Sequence, residues 1–362
     1  LLIETGGNDV YDNMNPTITP GSLSVIIDLS GNDQVRWDKT PGPGAGLFGL
    51  DIWMDLSGDD QYIGRNYGIG TGLFGAGLLW DRAGDDLYKS GSMGQGAAQY
   101  GFGVMMDDAG NDRYIAELAS QGFGGPGGYG VQVDRSGDDY YECGSVVPDR
   151  VAARNQRHGG VHYFSLCQGY GYGMRPVISG GVGVLLELAG DDKYQADMFA
   201  QGAATWFGLG VLTDVAGNDI FLAYEHCQGE ALHAGAGFLG DWSGNDRYTG
   251  HEHCQGVGVD RSIGFLVDEL GDDVYRANHE SQGAGVKPFG IGLLLELTGN
   301  DTYEAASKAQ GYSLLPPGFP GEQRPLGVLM DLHGSDEYLY PLLEQPNAKG
   351  RVQAYRGLAI DR

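Results

Sequence analysis

Short apolar runs recur along the chain, each closed by an acid. Gly208-Leu209-Gly210-Val211-Leu212-Thr213-Asp214 and Gly290-Ile291-Gly292-Leu293-Leu294-Leu295-Glu296 are two of them. Such runs are β-rich and too short for helices, so each predicts a strand. The closing acid begins an eight-residue stretch, as in Asp241-Trp242-Ser243-Gly244-Asn245-Asp246-Arg247-Tyr248. That stretch occurs 12 times, with its glycine at 7, 31, 58, 84, 110, 137, 190, 217, 244, 271, 299 and 334. The first position is always acidic, Asp in nine copies and Glu at Glu4, Glu187 and Glu296. The sixth is always Asp, and the eighth is Tyr except at Val35 and Phe221. A second short strand is expected around the Tyr. A Gln-Gly turn then follows at Gln95, Gln121, Gln168, Gln201, Gln228, Gln255, Gln282 and Gln310.

Motif glycines are spaced by 24, 27, 26, 26, 27, 53, 27, 27, 27, 28 and 35 residues. The unit is about 27 residues, and the 53 reads as two units, the second without its motif. Three short strands and three turns per unit make one coil of a parallel β-helix. The expected fold is all-β: a right-handed β-solenoid of about 12 or 13 coils, roughly 55 to 60 Å long at about 4.8 Å per coil. It spans residues 1–340. Two insertions leave the period, 144–166 and 314–325, and residues 341–362 read as a C-terminal cap or tail. The first insertion carries Arg150, Arg154, Arg157, His158 and His162 and is the expected binding loop.

Of the 48 acids, 29 lie in the motif, so the net charge of -26 is built into the coils. Such a field repels nucleic acid and anionic membranes and attracts cations. No apolar run reaches the 18 residues of a membrane span. With 4 Cys in 362 residues the chain is not a disulfide scaffold. It opens at Leu1 without Met, which reads as a mature or trimmed piece of a longer chain.

The fifth motif position is Asn six times, Asp five times and Ser335 once, which reads as turn chemistry in the left-handed region. The first and sixth positions keep their acid. Stacked one coil apart, like carboxylates repel by roughly 3 to 4 kcal/mol at an effective dielectric of about 20. Compensation comes either from turn N–H groups or from Ca²⁺ shared between coils. The candidate calcium ligands are Asp55, Asp60, Asp81, Asp86, Asp107, Asp112, Asp134, Asp139, Asp214, Asp219, Asp241, Asp246, Asp268 and Asp273. The Tyr column reads as a packing ladder with hydroxyls at the rim, or as an aromatic strip for glycans. The Gln column reads as an amide ladder.

The stretch acid-x-x-Gly-[Asn/Asp]-Asp-x-Tyr resembles the haemolysin-type calcium repeat, Gly-Gly-x-Gly-x-Asp-x-apolar, with Gly244, Asp246 and Tyr248 at the matching places. The likeness covers eight residues of each coil. It departs at the first glycine, which is here an acid such as Asp241, and in having one such turn per coil. The resemblance implies a β-helix with Ca²⁺ held by turns of neighbouring coils.

One cluster departs from the repeat. Glu225-His226-Cys227-Gln228 and Glu252-His253-Cys254-Gln255 are 27 residues apart, and His279 and Glu280 follow one coil later. Strand alternation places His226, His251, His253 and Glu280 on one face and the two thiols in an interior corner. Three imidazoles and a carboxylate suit zinc or copper. No Gly-x-Ser-x-Gly elbow, His-Glu-x-x-His or P-loop is present.

Three functions follow as expectations. The first is a secreted or surface structural and binding solenoid, calcium-stabilised and non-catalytic, with a protein or glycan partner at the cell surface. The second is a lyase or hydrolase acting on acidic glycans. The third is a metalloprotein centred on the His cluster, as a subunit of a larger assembly.

Overall fold

Each apolar run becomes a strand, and each coil adds one such strand to the same sheet. The computed structural model describes residues 1–14, 19–39, 41–144, 146–148, 161–175, 178–318, 320, 323–339, 350–352 and 358–361. Among them there is no helix. The chain forms a parallel β-solenoid of three sheets. The long-strand sheet has 14 strands, among them Leu209–Asp214, Ala236–Asp241, Ile263–Asp268 and Ile291–Glu296. They pair in parallel and in register, Leu212 with Leu239, Leu239 with Leu266 and Leu266 with Leu294. The second sheet carries the Tyr strands, and the third consists of two-residue strands after the Gln-Gly turns. The core is thin. One inward line of Leu212, Leu239, Leu266 and Leu294 packs on one line of Tyr194, Phe221, Tyr248 and Tyr275, all fully buried. Successive rings stack at 4.7 to 5.0 Å, the rise of one coil.

The 53-residue interval is one coil rather than two. Tyr129–Val133 pairs directly with Val182–Leu186, and Tyr141 with Tyr194. The extra residues leave the coil at two corners, after Cys143 and after Tyr172. At the first of these, the Cys143–Cys167 disulfide closes the neck of the insertion. The other pair is also bonded. Cys227 and Cys254, expected as interior thiols, form a disulfide between adjacent coils, with Cα atoms 4.7 Å apart. At the C-terminal end, Leu358–Asp361 joins the long-strand sheet beside Leu326–Asp331, with Gly350–Val352 antiparallel to it.

The turn chemistry differs from expectation in a consistent way. No fifth-position residue is left-handed. Its side-chain oxygen instead accepts the amide of the fifth residue one coil on, Asn218 Oδ1 from Asn245 N at 3.1 Å and Asn245 Oδ1 from Asp272 N at 2.9 Å. Asn and Asp exchange freely because only an oxygen is needed. The left-handed residues include the Gln column, such as Gln228 at φ 53°, the residue two before it, such as His226 at φ 54°, and the corner after the two-residue strands, such as His233 at φ 55°. Gln amides do not bond one another. Gln255 Nε2 donates to the carbonyls of Tyr248 at 3.1 Å and Arg276 at 2.9 Å, pinning two coils together.

The motif glycine is required by contact between coils. A Cβ on Gly244 would lie 1.7 Å from the carbonyl oxygen of Gly217. Gly244→Ala is therefore expected to cost about 3 kcal/mol, the upper range for overpacking. A urea midpoint within error of the parent would show that the coils can separate locally.

Candidate metal centres

The first candidate is the pair of acid columns. Sixth-position acids are held by backbone amides of the preceding coil. Asp60 Oδ1 accepts Asp33 N at 2.6 Å, Asp86 Oδ1 accepts Asp60 N at 2.6 Å, and Asp246 Oδ1 accepts Asp219 N at 2.6 Å. First-position acids accept a turn amide on one oxygen, as Asp55 does from Ser57 N at 3.3 Å. Their other oxygen receives a tyrosine hydroxyl from the coil before. Tyr62 Oη donates to Asp81 at 2.9 Å, Tyr88 to Asp107 at 2.6 Å, Tyr194 to Asp214 at 2.6 Å and Tyr248 to Asp268 at 2.7 Å; Tyr114 donates likewise to Asp134. The rings and hydroxyls are thus interior. Both surface readings of the Tyr column, hydroxyls at the rim and a glycan strip, are overturned.

Turn amides and hydroxyls leave part of the charge unanswered. The Oδ2 atoms of Asp60, Asp139, Asp219, Asp246 and Asp273 are buried without a partner. None of the ion pairs among the described residues involves a first- or sixth-position acid. Burial, then the like charge of the first-position neighbour, pushes Asp60 and Asp273 up to about 9 and Asp219 to about 10. Burial drives Asp86 and Asp139 to about 10 and Asp112 and Asp246 to about 7, against the pull of backbone N–H groups. Asp55, Asp81, Asp107, Asp134, Asp214, Asp241 and Asp268 are raised too, by burial first. Ligand oxygens of Asp55, Asp60 and Asp81, and of Asp28, Asp33 and Asp55, lie within 4.8 Å of one another. A set of hard oxygens with orphaned buried atoms suits a hard cation such as Ca²⁺.

The second candidate is the His cluster, and here strand alternation fails as a guide. His226 and His253 are left-handed, at φ 54° and 51°. The strand before them is bulged: the carbonyl of Tyr224 accepts both His251 N at 2.8 Å and Glu252 N at 3.3 Å. The cluster therefore divides into two rows. His226 stacks between Phe199 and His253, at 4.7 and 4.9 Å. His251 belongs to the other row, stacked on Tyr224 at 4.7 Å, and His162 covers the far face of that Tyr at 3.4 Å while its Nδ1 meets Asp197 at 2.9 Å. His279 bonds the Ser307 hydroxyl. Glu280 takes His253 Nε2 at 3.0 Å and Lys308 Nζ at 3.1 Å. Arg150, Arg154, Arg157 and His158 lie outside the described residues.

Sequence reading missed Glu230. It follows a Gln-Gly turn at a place where the neighbouring coils have Ala203 and Val257, and all three are fully buried. Its Oε1 lies 3.1 Å from His226 Nδ1. Burial lifts Glu230 to about 8. Burial and the neighbouring His253 charge hold His226 down at about 3. Burial disfavours the charged form of His253 as well, but the Glu280 hydrogen bond and the Glu230 charge outweigh it and raise the ring. Glu280, despite burial, is drawn down to about 2 by His253 and Lys308. The cue in the sequence was an acid standing alone in an otherwise apolar or small column. No family model, curated protein or solved structure matches this chain, so both centres rest on their own geometry.

Proposed function

We propose that this chain is a non-catalytic β-solenoid scaffold that works outside the cell, is stabilised by calcium in its acid columns, and assembles through the outer face of its long-strand sheet. The observation that carries this reading is that face. From Leu23–Ile27 to Leu326–Asp331 it comprises 11 strands, and none of their outward residues is charged. Its middle row includes Val184, Val211, Phe238, Phe265, Leu293 and Val328, all half-buried. The row beside it, at the start of the same strands, includes Leu50 and Leu326, 39% and 47% exposed. Soluble monomers rarely leave so large a contiguous apolar surface open. At about 4.8 Å per strand and 3.3 Å per residue the face covers roughly 850 Å², close to the roughly 800 Å² per partner of a stable interface. Polar groups rim one side, where Arg82 and Arg135 pair with Asp108 at 3.5 and 2.7 Å.

The occupant we assign is a second copy of the chain. Every coil presents the same rows at the same spacing, so the face is complementary to itself under a two-fold rotation. Extracellular placement is supported by the two disulfides, which persist in oxidising compartments. Calcium is supported by the orphaned carboxylate oxygens and by the resemblance of the motif to haemolysin-type repeats.

Light scattering on the purified protein at micromolar concentration should give twice the chain mass. Val211→Glu with Phe238→Glu should give the single-chain mass with an unchanged circular dichroism spectrum. A wild-type protein that stays monomeric up to about 100 μM, weaker than stable complexes of this area, would remove the assembly reading.

A further inference from the structure

Glu230 is a buried acid that the repeat does not explain. Its Oε1 meets His226 Nδ1 at 3.1 Å, and its Oε2 has no partner. One coil on, His253 stacks on His226 with ring centroids 4.9 Å apart and planes inclined by 23°. Its Nδ1 is buried and also without a partner. The opposite nitrogens of both rings face carboxylates. His226 Nε2 lies 3.6 Å from Glu225 Oε1, and His253 Nε2 lies 3.0 Å from Glu280 Oε2. Glu280 is itself held by Lys308 at 3.1 Å.

At His253 that arrangement is the one imidazoles adopt when they bind metal, and at His226 the carboxylate stands just beyond hydrogen-bond distance. A ligating histidine donates its other ring N–H to a carboxylate, which fixes the tautomer. With protons on the Nε2 atoms, the His226 Nδ1 lone pair meets the fully buried Glu230 carboxylate and the His253 Nδ1 lone pair, one coil on, has no partner. The spacing is also covalently fixed, because the Cys227–Cys254 disulfide joins the residues next to the two rings. A site whose donors are held by packing and by a covalent link needs little reorganisation to bind.

We propose that His226 Nδ1, His253 Nδ1 and the Glu230 carboxylate bind one divalent transition-metal ion of the zinc class. Two imidazoles and one carboxylate, with a fourth position for water, form an established donor set for such ions. His251 is not a ligand, since it lies in the neighbouring row with Tyr224. Glu280 and Glu225 position the rings and do not touch the metal. The nitrogen donors separate this centre from the acid columns, which offer oxygen alone.

The test uses the full chain, stripped of metals, saturated with calcium and titrated with Co²⁺. Calcium occupies the oxygen sites, so visible ligand-field bands report the nitrogen site. One equivalent of Co²⁺ should develop bands that Zn²⁺ abolishes. Glu230→Gln, which preserves shape, should weaken Co²⁺ binding by about 100-fold, at the upper end for loss of a metal-site group. His251→Gln should leave it unchanged. If Glu230→Gln fails to fold, proton NMR of the wild-type Co²⁺ form decides: two exchangeable hyperfine-shifted imidazole N–H signals are expected. No visible band under calcium saturation, equal losses in the two variants, or any other number of shifted N–H signals overturns the assignment.

Discussion

Calcium-free protein is expected to unfold as the pH is raised from 5 to 9, and calcium is expected to refold it. The sign follows from the buried acids. Asp60, Asp86, Asp139, Asp219 and Asp273 sit at about 9 to 10 in the fold, far above an ordinary aspartate. A raised folded value means that the native state keeps protons the unfolded chain has lost. The stability these groups confer is complete below about pH 4 and is lost as the pH climbs through the folded values. Each retained proton lowers stability by about 1.4 kcal/mol per pH unit, so five of them together remove about 7 kcal/mol for every pH unit. A domain has about 5 to 15 kcal/mol in total. Protons alone therefore cannot hold these columns above neutrality, and a divalent cation that replaces them can. Melting curves after exhaustive chelation should fall steeply between pH 5 and 9. With millimolar calcium they should be nearly flat, each site adding about 2.7 kcal/mol at a hundredfold excess over its dissociation constant. A chelated protein with a constant melting temperature across that range would show that the coils satisfy their own carboxylates.

Phe221→Tyr is expected to stabilise the protein by about 1.5 to 3 kcal/mol, the range for a hydrogen bond to a charged group. Phe221 occupies a place in the Tyr column, fully buried and stacked on Tyr194 at 4.7 Å and Tyr248 at 4.8 Å. In the adjoining coils Tyr194 and Tyr248 donate their hydroxyls to Asp214 and Asp268. The corresponding oxygen one coil beyond Phe221 is Asp241 Oδ2, which is buried without a partner. The added hydroxyl would meet an acceptor already in place. Tyr194→Phe should cost a similar amount, because it orphans the Asp214 oxygen. A higher urea midpoint for the first variant and a lower one for the second are the expected results. A loss of stability in both would mean that the hydroxyl pocket is absent around Phe221.

The coil itself was legible in the sequence because its determinants are local and periodic. The spacing of Gly217, Gly244 and Gly271 fixed the unit, and the apolar run before each fixed the strand. What was not legible depends on where the backbone turns. Left-handed conformations at His226 and Gln228 carry no distinct residue signature, since Gln does not prefer that region and His, although enriched there, mostly lies outside it. Strand alternation was therefore carried through a corner where it does not hold, and His251 was grouped with His226. The interior position of the tyrosines was hidden for another reason. A hydroxyl suggests a wet edge, yet a buried acid in the next coil is an equally good partner. The apolar outer face had a visible cue. Runs such as Ile291 to Leu295 are apolar at both parities, as strands covered on both faces are.

The coil that carries the 26 additional residues has a wider meaning. Across the whole excursion, from Asp139 to Asp192, the amide-to-carboxylate contact stays at 2.7 Å, the same as between ordinary neighbours such as Asp219 and Asp192. The frame does not register what the chain does between its fixed points. Loops at those corners are thus free to lengthen, shorten or be exchanged while the rungs on either side remain in place. In such a molecule, recognition can diversify at the corners under one set of selective constraints, while the rod that displays it is held constant under another.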